Sequence, residues 1–185
     1  MKRLMIDMDN CITDAYFLKT VNDFSHTDYK IEDQTMFHLQ NLVPESQRQD
    51  YWRYMLEHTF YGDCPLLDNA YEVLKELNEK YELYIVTTYY YKDSNPDISG
   101  KVLKDKYDYL KEKLPFISPK QYIFIDDKTL IHWDIAIDDR TNNLKSANQK
   151  LLMNAWHNQD FSKEQLEEQG IVRVNSWNEI LELLK

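Results

Sequence analysis

Along this chain the apolar residues gather into short runs, separated by stretches in which they recur every three or four positions. Residues 4–6, 83–88, 122–125, 135–137, 151–153 and 171–174 read as short, largely apolar strands. Between them, Ala70, Val73, Leu74 and Leu77 fall on one face of a helix that Asp68 can cap. A charged helix is predicted over residues 101–113, ended by Pro115 and Pro119, and another begins near Arg140. Ser176 caps a last helix whose buried face is Ile180, Leu181 and Leu184. Runs without polar alternation are strands covered on both faces. Strands alternating with helices imply an α/β fold with a parallel, doubly wound sheet.

Residues 14–65 break this rhythm. They contain no continuous apolar strand, and Met36, Phe37, Leu39 and Leu42, then Tyr51, Tyr54, Met55 and His58, recur at helical spacings. Pro44 and Glu45 suit the first turn of a second helix. Gly62-Asp63-Cys64-Pro65 returns the chain to the main domain. The expected organisation is a core of residues 1–13 and 66–185, with a small helical cap inserted at 14–65. Residues 89–100, rich in Tyr, Asp, Asn, Ser, Pro and Gly, read as a loop.

Composition narrows the chemistry. At 185 residues with 43% hydrophobic residues, the chain can bury a substantial core. A net charge of -10 argues against polymeric nucleic acid and anionic membrane as partners. Only 3 glycines occur, so no glycine-rich nucleotide cradle is present. Cys11 and Cys64 form neither a metal pattern nor a disulfide framework and read as small buried hydrophobes in a reducing compartment. No segment approaches the length of a membrane span, and the apolar run after Lys2 and Arg3 ends within three residues, too short for a signal peptide. The expected location is the cytoplasm.

Asp7 and Asp9 follow the first apolar run, at the strand end where open α/β sheets bind ligands. If extension continues through Asp9, both carboxylates share one side and need a divalent cation or a division of labour between nucleophile and general acid. An isolated Asp-x-Asp also suits a solvated turn. Thr87 and Thr88 close the second strand, where hydroxyls can hold phosphate oxygens, although β-branched residues also simply suit a strand end. Lys128 offers a compact cation, or is an ordinary surface lysine. Asp138 and Asp139 end the fourth strand, and paired acids there are costly without a cation. His26, His38, His58, His132 and His157 show no ligand spacing, and none is assigned to catalysis.

The order Asp-x-Asp, strand-Thr, Lys, strand-Asp-Asp resembles the haloacid dehalogenase-like hydrolase superfamily. More narrowly, Ile6-Asp7-Met8-Asp9, Val86-Thr87-Thr88 and the stretch from Asp127 to Arg140 are similar to the 5′(3′)-deoxyribonucleotidase family, in which a lysine precedes the acid pair by ten residues. The resemblance implies a Rossmann-like core under a cap and a magnesium-dependent phosphatase acting on a small phosphate ester, expected to be a nucleoside monophosphate. It assigns Asp7 as the nucleophile that becomes an aspartyl-phosphate, and Asp9 as the acid and base whose backbone carbonyl ligates magnesium. Thr87 and Thr88 would bind phosphate, Lys128 would steady the phosphoaspartate, and Asp139 would be the third metal ligand, supported by Asp138. Asn10 stands where the family usually has Gly or Glu, and Ala15, beside Tyr16 and Phe17, where it has an aromatic. Phe37, Trp52 and Phe60 can stack on a base or form the core of the cap.

Overall fold

A computed structural model of the chain describes residues 1–14, 17–34, 37–58, 61–62, 64–90 and 96–185. Ala15, Tyr16, Met36, Phe60 and Asp63 lie outside these residues. Six parallel strands form one sheet in the order β3-β2-β1-β4-β5-β6: β1 Arg3–Ile6, β2 Glu82–Thr87, β3 Tyr122–Phe124, β4 Trp133–Asp138, β5 Ala147–Met153 and β6 Ile171–Val174. Among the described residues the α-helices are α1 Phe17–Ser25, α2 Arg48–Glu57, α3 Ala70–Lys80, α4 Pro96–Lys113, α5 Lys163–Glu167 and α6 Trp177–Leu183.

All six predicted strands form. The central one shows why the sheet needs cover on both faces. Leu4, Met5 and Ile6 are fully buried. Because side chains alternate, Leu4 and Ile6 join a large cluster with residues of α3, α4 and α6, while Met5 joins Val86, Ala136, Leu144 and Leu166 on the opposite face. The second face is covered by short turns and the five-residue α5 rather than by long helices. The helix expected near Arg140 is a 3₁₀ turn, Thr141–Leu144. Its length explains this: only residues 139–146 join β4 to β5. At ~1.5 Å per residue a helix of that size rises ~12 Å, short of the ~20 Å that a six-residue strand advances.

Three other boundaries differ from expectation. The α4 helix starts at Pro96 rather than residue 101, since proline suits the first helical position. Asp68 does not cap α3; Asn69 precedes the helix in a left-handed conformation, φ 60°, and makes no side-chain cap bond. A short polar side chain tolerates that conformation where the chain must turn sharply. Within residues 14–65, α1 forms ahead of the periodic stretches, and the first of these becomes a 3₁₀ turn, Leu39–Leu42. Cys11 and Cys64 are buried, and neither is in a disulfide among the described residues. Among the described residues no helix is long and apolar enough to cross a membrane.

Ser176 does cap α6, accepting a hydrogen bond from the Glu179 amide. Its helix packs Trp177 and Ile180 into the core. Ser176→Ala is expected to lower stability by about 1 kcal/mol, read from urea unfolding midpoints.

Candidate active site

The strand order reverses direction on either side of β1, and the crevice between the C-terminal ends of β1 and β4 is where such sheets bind ligands. The Asp7 amide donates to the Ile137 carbonyl at 2.9 Å, carrying the ladder one residue past β1. The chain then turns through residues 8–13, with Asn10 at φ 56°. Extension therefore stops before Asp9. The two acids meet different cations.

Asp7 faces Lys128, whose Nζ lies 2.6 Å from Asp7 Oδ1 and 2.7 Å from Asp138 Oδ2. Lys128 is 2% exposed and so is no surface lysine. Burial disfavours its charge, but Asp138 and Asp7 outweigh that and hold it above the ordinary lysine range. Burial pushes Asp7 up to about 6, with Lys128 opposing the rise and Asp138 and Asp9 adding to it. Asp138 is fully buried and raised by that burial, against the pull of Lys128; it also accepts from the Arg140 amide and Asn143 Nδ2. These bonds fix Asp138 as the support for Lys128.

Asp9 is held by two groups that the sequence reading passed over. Lys106 Nζ donates to Asp9 Oδ2 at 2.7 Å, to Thr87 Oγ1 at 2.6 Å and to the Thr88 carbonyl at 2.7 Å. Tyr61 donates its hydroxyl to Asp9 Oδ1 at 2.7 Å. Lys106 comes from α4, where Ile98, Val102 and Leu110 are buried at the same helical spacing. A lysine on that apolar stripe was the available signal, hidden by the many charged residues of the helix. Thr87 and Thr88 point apart, as successive strand residues do. Thr87 is buried against Lys106, and the Thr88 hydroxyl donates to Asp126 Oδ1 at 3.2 Å.

The remaining acid, Asp139, lies near Asp7 and Cys11, with one potential ligand atom from each within 4.8 Å of the others. Burial, and then the charges of Asp139 and Asp7, push the Cys11 thiol well above its ordinary value, which leaves the carboxylates as the donors. Four carboxyl groups, those of Asp7, Asp9, Asp138 and Asp139, stand here against two lysines, Lys106 and Lys128. Buried oxygen donors with that excess fit a hard divalent cation such as magnesium. The Asp9 carboxylate, turned to Lys106 and Tyr61, is not among these close atoms. His157, which showed no ligand spacing, places Nε2 2.8 Å from Asp139 Oδ2. Asn10 Nδ2 donates to the same oxygen at 2.8 Å.

Of the aromatics considered for base stacking, Trp52 belongs to the core, Phe37 is 39% exposed beside His157, and Phe60 lies outside the described residues.

Residues 1–185 match the family described as 5′ nucleotidase, deoxy (pyrimidine), cytosolic type C. A 5′(3′)-deoxyribonucleotidase of Bacillus subtilis is 29% identical over 97% of this chain and 96% of its own length. One from Clostridium acetobutylicum is 30% identical over 95% and 91%. Among solved structures, a Bacillus subtilis protein described as a HAD-hydrolase, bound to magnesium, shares 14% identity at a TM-score of 0.50, covering 100% of this chain and 98% of that one. At that identity the likeness concerns the fold.

Proposed function

Since the chain belongs to the cytosolic type C 5′-nucleotidase family, we propose that it is a magnesium-dependent phosphatase of nucleoside monophosphates, with 5′(3′)-deoxyribonucleotides as the favoured class. The observation that carries this reading is Lys128, buried between Asp7 and Asp138 at the switch point of the sheet. Such a bridge leaves one carboxylate facing the crevice while its charge is held in place. The names of the relatives support the substrate class.

In this reading an Asp7 oxygen attacks phosphorus, forming the phosphoaspartate bond as the ester oxygen departs with its electron pair. Asp9 gives that oxygen a proton, then takes one from the water that cleaves the phosphoaspartate and regenerates Asp7. Lys128 offsets charge on the phosphoryl oxygens throughout, and Lys106 fixes Asp9 against Thr87. The Thr87 and Thr88 segment binds phosphate. Asp7, Asp139 and the Asp9 carbonyl would hold magnesium, which supplies charge neutralisation of the phosphoryl group. Residues 14–65 serve as a cap over the crevice, with Tyr61 reaching Asp9 from it. The magnesium bound in the fold relative supports the choice of ion.

The test is phosphate release from a panel of ribo- and deoxyribonucleoside monophosphates and other phosphate esters, with magnesium and with chelator. Expected are turnover strongest on deoxyribonucleotides and a loss of at least about 100-fold in chelator. Turnover of a different ester would redirect the substrate, whereas nucleotide binding without release from any ester would make the protein a regulatory binder of this fold.

A further inference from the structure

Among the described residues, the Asp139 carboxylate receives two hydrogen bonds, and both land on one oxygen. His157 Nε2 and Asn10 Nδ2 each lie 2.8 Å from Oδ2, and among the described residues Oδ1 has no hydrogen-bond donor. An ionised carboxylate only accepts, so the His157 proton in this bond sits on Nε2. Fixing one oxygen by two donors sets the plane of the carboxylate and leaves the other oxygen for a ligand.

The turn that carries His157 is itself tied down. Asn158, 2% exposed, spends its amide nitrogen on the carbonyls of Asp139 and Met153, both at 2.9 Å. Its Oδ1 accepts from the Ala155 amide at 3.2 Å and from Arg173 at 2.7 Å. Arg173 also donates to the Asn158 carbonyl at 2.9 Å. The 3₁₀ turn Trp156–Asn158 is thus held from β6 and bonded to the backbone of Asp139, the residue its histidine addresses. On the outer side the His157 ring meets Phe37 edge-on, with centroids 4.9 Å apart, and the Arg140 guanidinium lies 4.7 Å from the centre of the Phe37 ring. The His157 side chain is 7% exposed.

We propose that His157 is a positioning residue of the cation site: its Nε2–H, with Asn10, pins Oδ2 of Asp139 so that Oδ1 is presented to the ion, and Phe37 keeps the imidazole in the plane that makes this bond. The inference rests on the magnesium reading above. It assigns a function to a turn that contributes no group to the reacting atoms, and it links Phe37 of the inserted segment to the metal carboxylate through His157.

The experiment measures ion binding directly, by calorimetry with magnesium and by electron paramagnetic resonance titration with manganese, in the full chain without substrate. His157→Ala removes the donor. His157→Gln keeps an N–H near the same position. Phe37→Leu keeps an apolar side chain but loses the ring edge. Expected is a 10- to 100-fold weaker affinity for both ions in His157→Ala. Recovery of most of that loss is expected in His157→Gln, with a smaller loss, about threefold, in Phe37→Leu. Circular dichroism and melting curves identify a variant that fails to fold, and His157→Gln then decides alone. Unchanged affinity in folded His157→Ala, or a His157→Gln protein no better than His157→Ala, overturns the positioning role while leaving the metal site standing. A parent protein that binds neither ion overturns both.

Discussion

Asp7→Asn is expected to reduce phosphate release by at least about 10³-fold on every ester the parent hydrolyses, because the amide preserves the shape but cannot form the phosphoaspartate. Burst and steady-state assays on the best panel substrate would measure it. Full activity in the variant would remove Asp7 from the nucleophile's role. The same variant reports on stability. Asp7 sits at about 6 in the fold, above the ordinary carboxylate value of 3.8, chiefly through burial. A group raised in this way contributes stability that is fully present below pH 3.8 and lost as pH rises through 6. For the cation-free protein this is a loss on the order of 3 kcal/mol across that window. Asp7→Asn cannot titrate, so in chelator its melting temperature at pH 8 should be no lower than the parent's. A variant markedly less stable at pH 8 would show that the ionised Asp7–Lys128 pair stabilises the fold on balance.

Lys128→Met is expected to be costly to both folding and turnover. The lysine is buried between two carboxylates that are themselves 10% and 0% exposed at their side chains. Removing the cation leaves two buried acids in repulsion, which destabilises by roughly 3–5 kcal/mol, far beyond what the added methionine packing returns. Urea unfolding in chelator would show the midpoint shift, and phosphate release should fall by more than about 10²-fold even where the variant is folded. A shift under about 1 kcal/mol would mean that Asp138 is adequately satisfied by the Arg140 amide and Asn143 alone.

Much of the candidate site is legible in the sequence because parallel sheets display chemistry at strand ends. Asp7, Thr87 and Asp138 each end or directly follow an apolar run, and parallel pairing brings those ends to one rim. Lys128 could be assigned only by its spacing to the acid pair, since nothing local distinguishes it from other lysines. Lys106 escaped because periodicity reports apolar positions, and a functional lysine on an apolar stripe reads as noise within a charged helix. His157 and Asn10 escaped for a different reason: they lie 18 and 129 residues from Asp139, and a histidine with one partner leaves no ligand spacing to detect.

The sequence by itself therefore determined the α/β class, the strands and the residues that end them, because burial on both faces dictates continuous apolar runs and abrupt polar stops. It also determined the excess of acid at that rim. The tertiary structure alone decided which donor meets which carboxylate, with Lys128 on Asp7 and Asp138, and Lys106 and Tyr61 on Asp9. It likewise decided that the eight-residue connection after β4 carries a four-residue 3₁₀ turn rather than a helix. Both outcomes depend on distances between segments far apart in the chain or on the length a connection must span, and neither quantity is written in any local pattern.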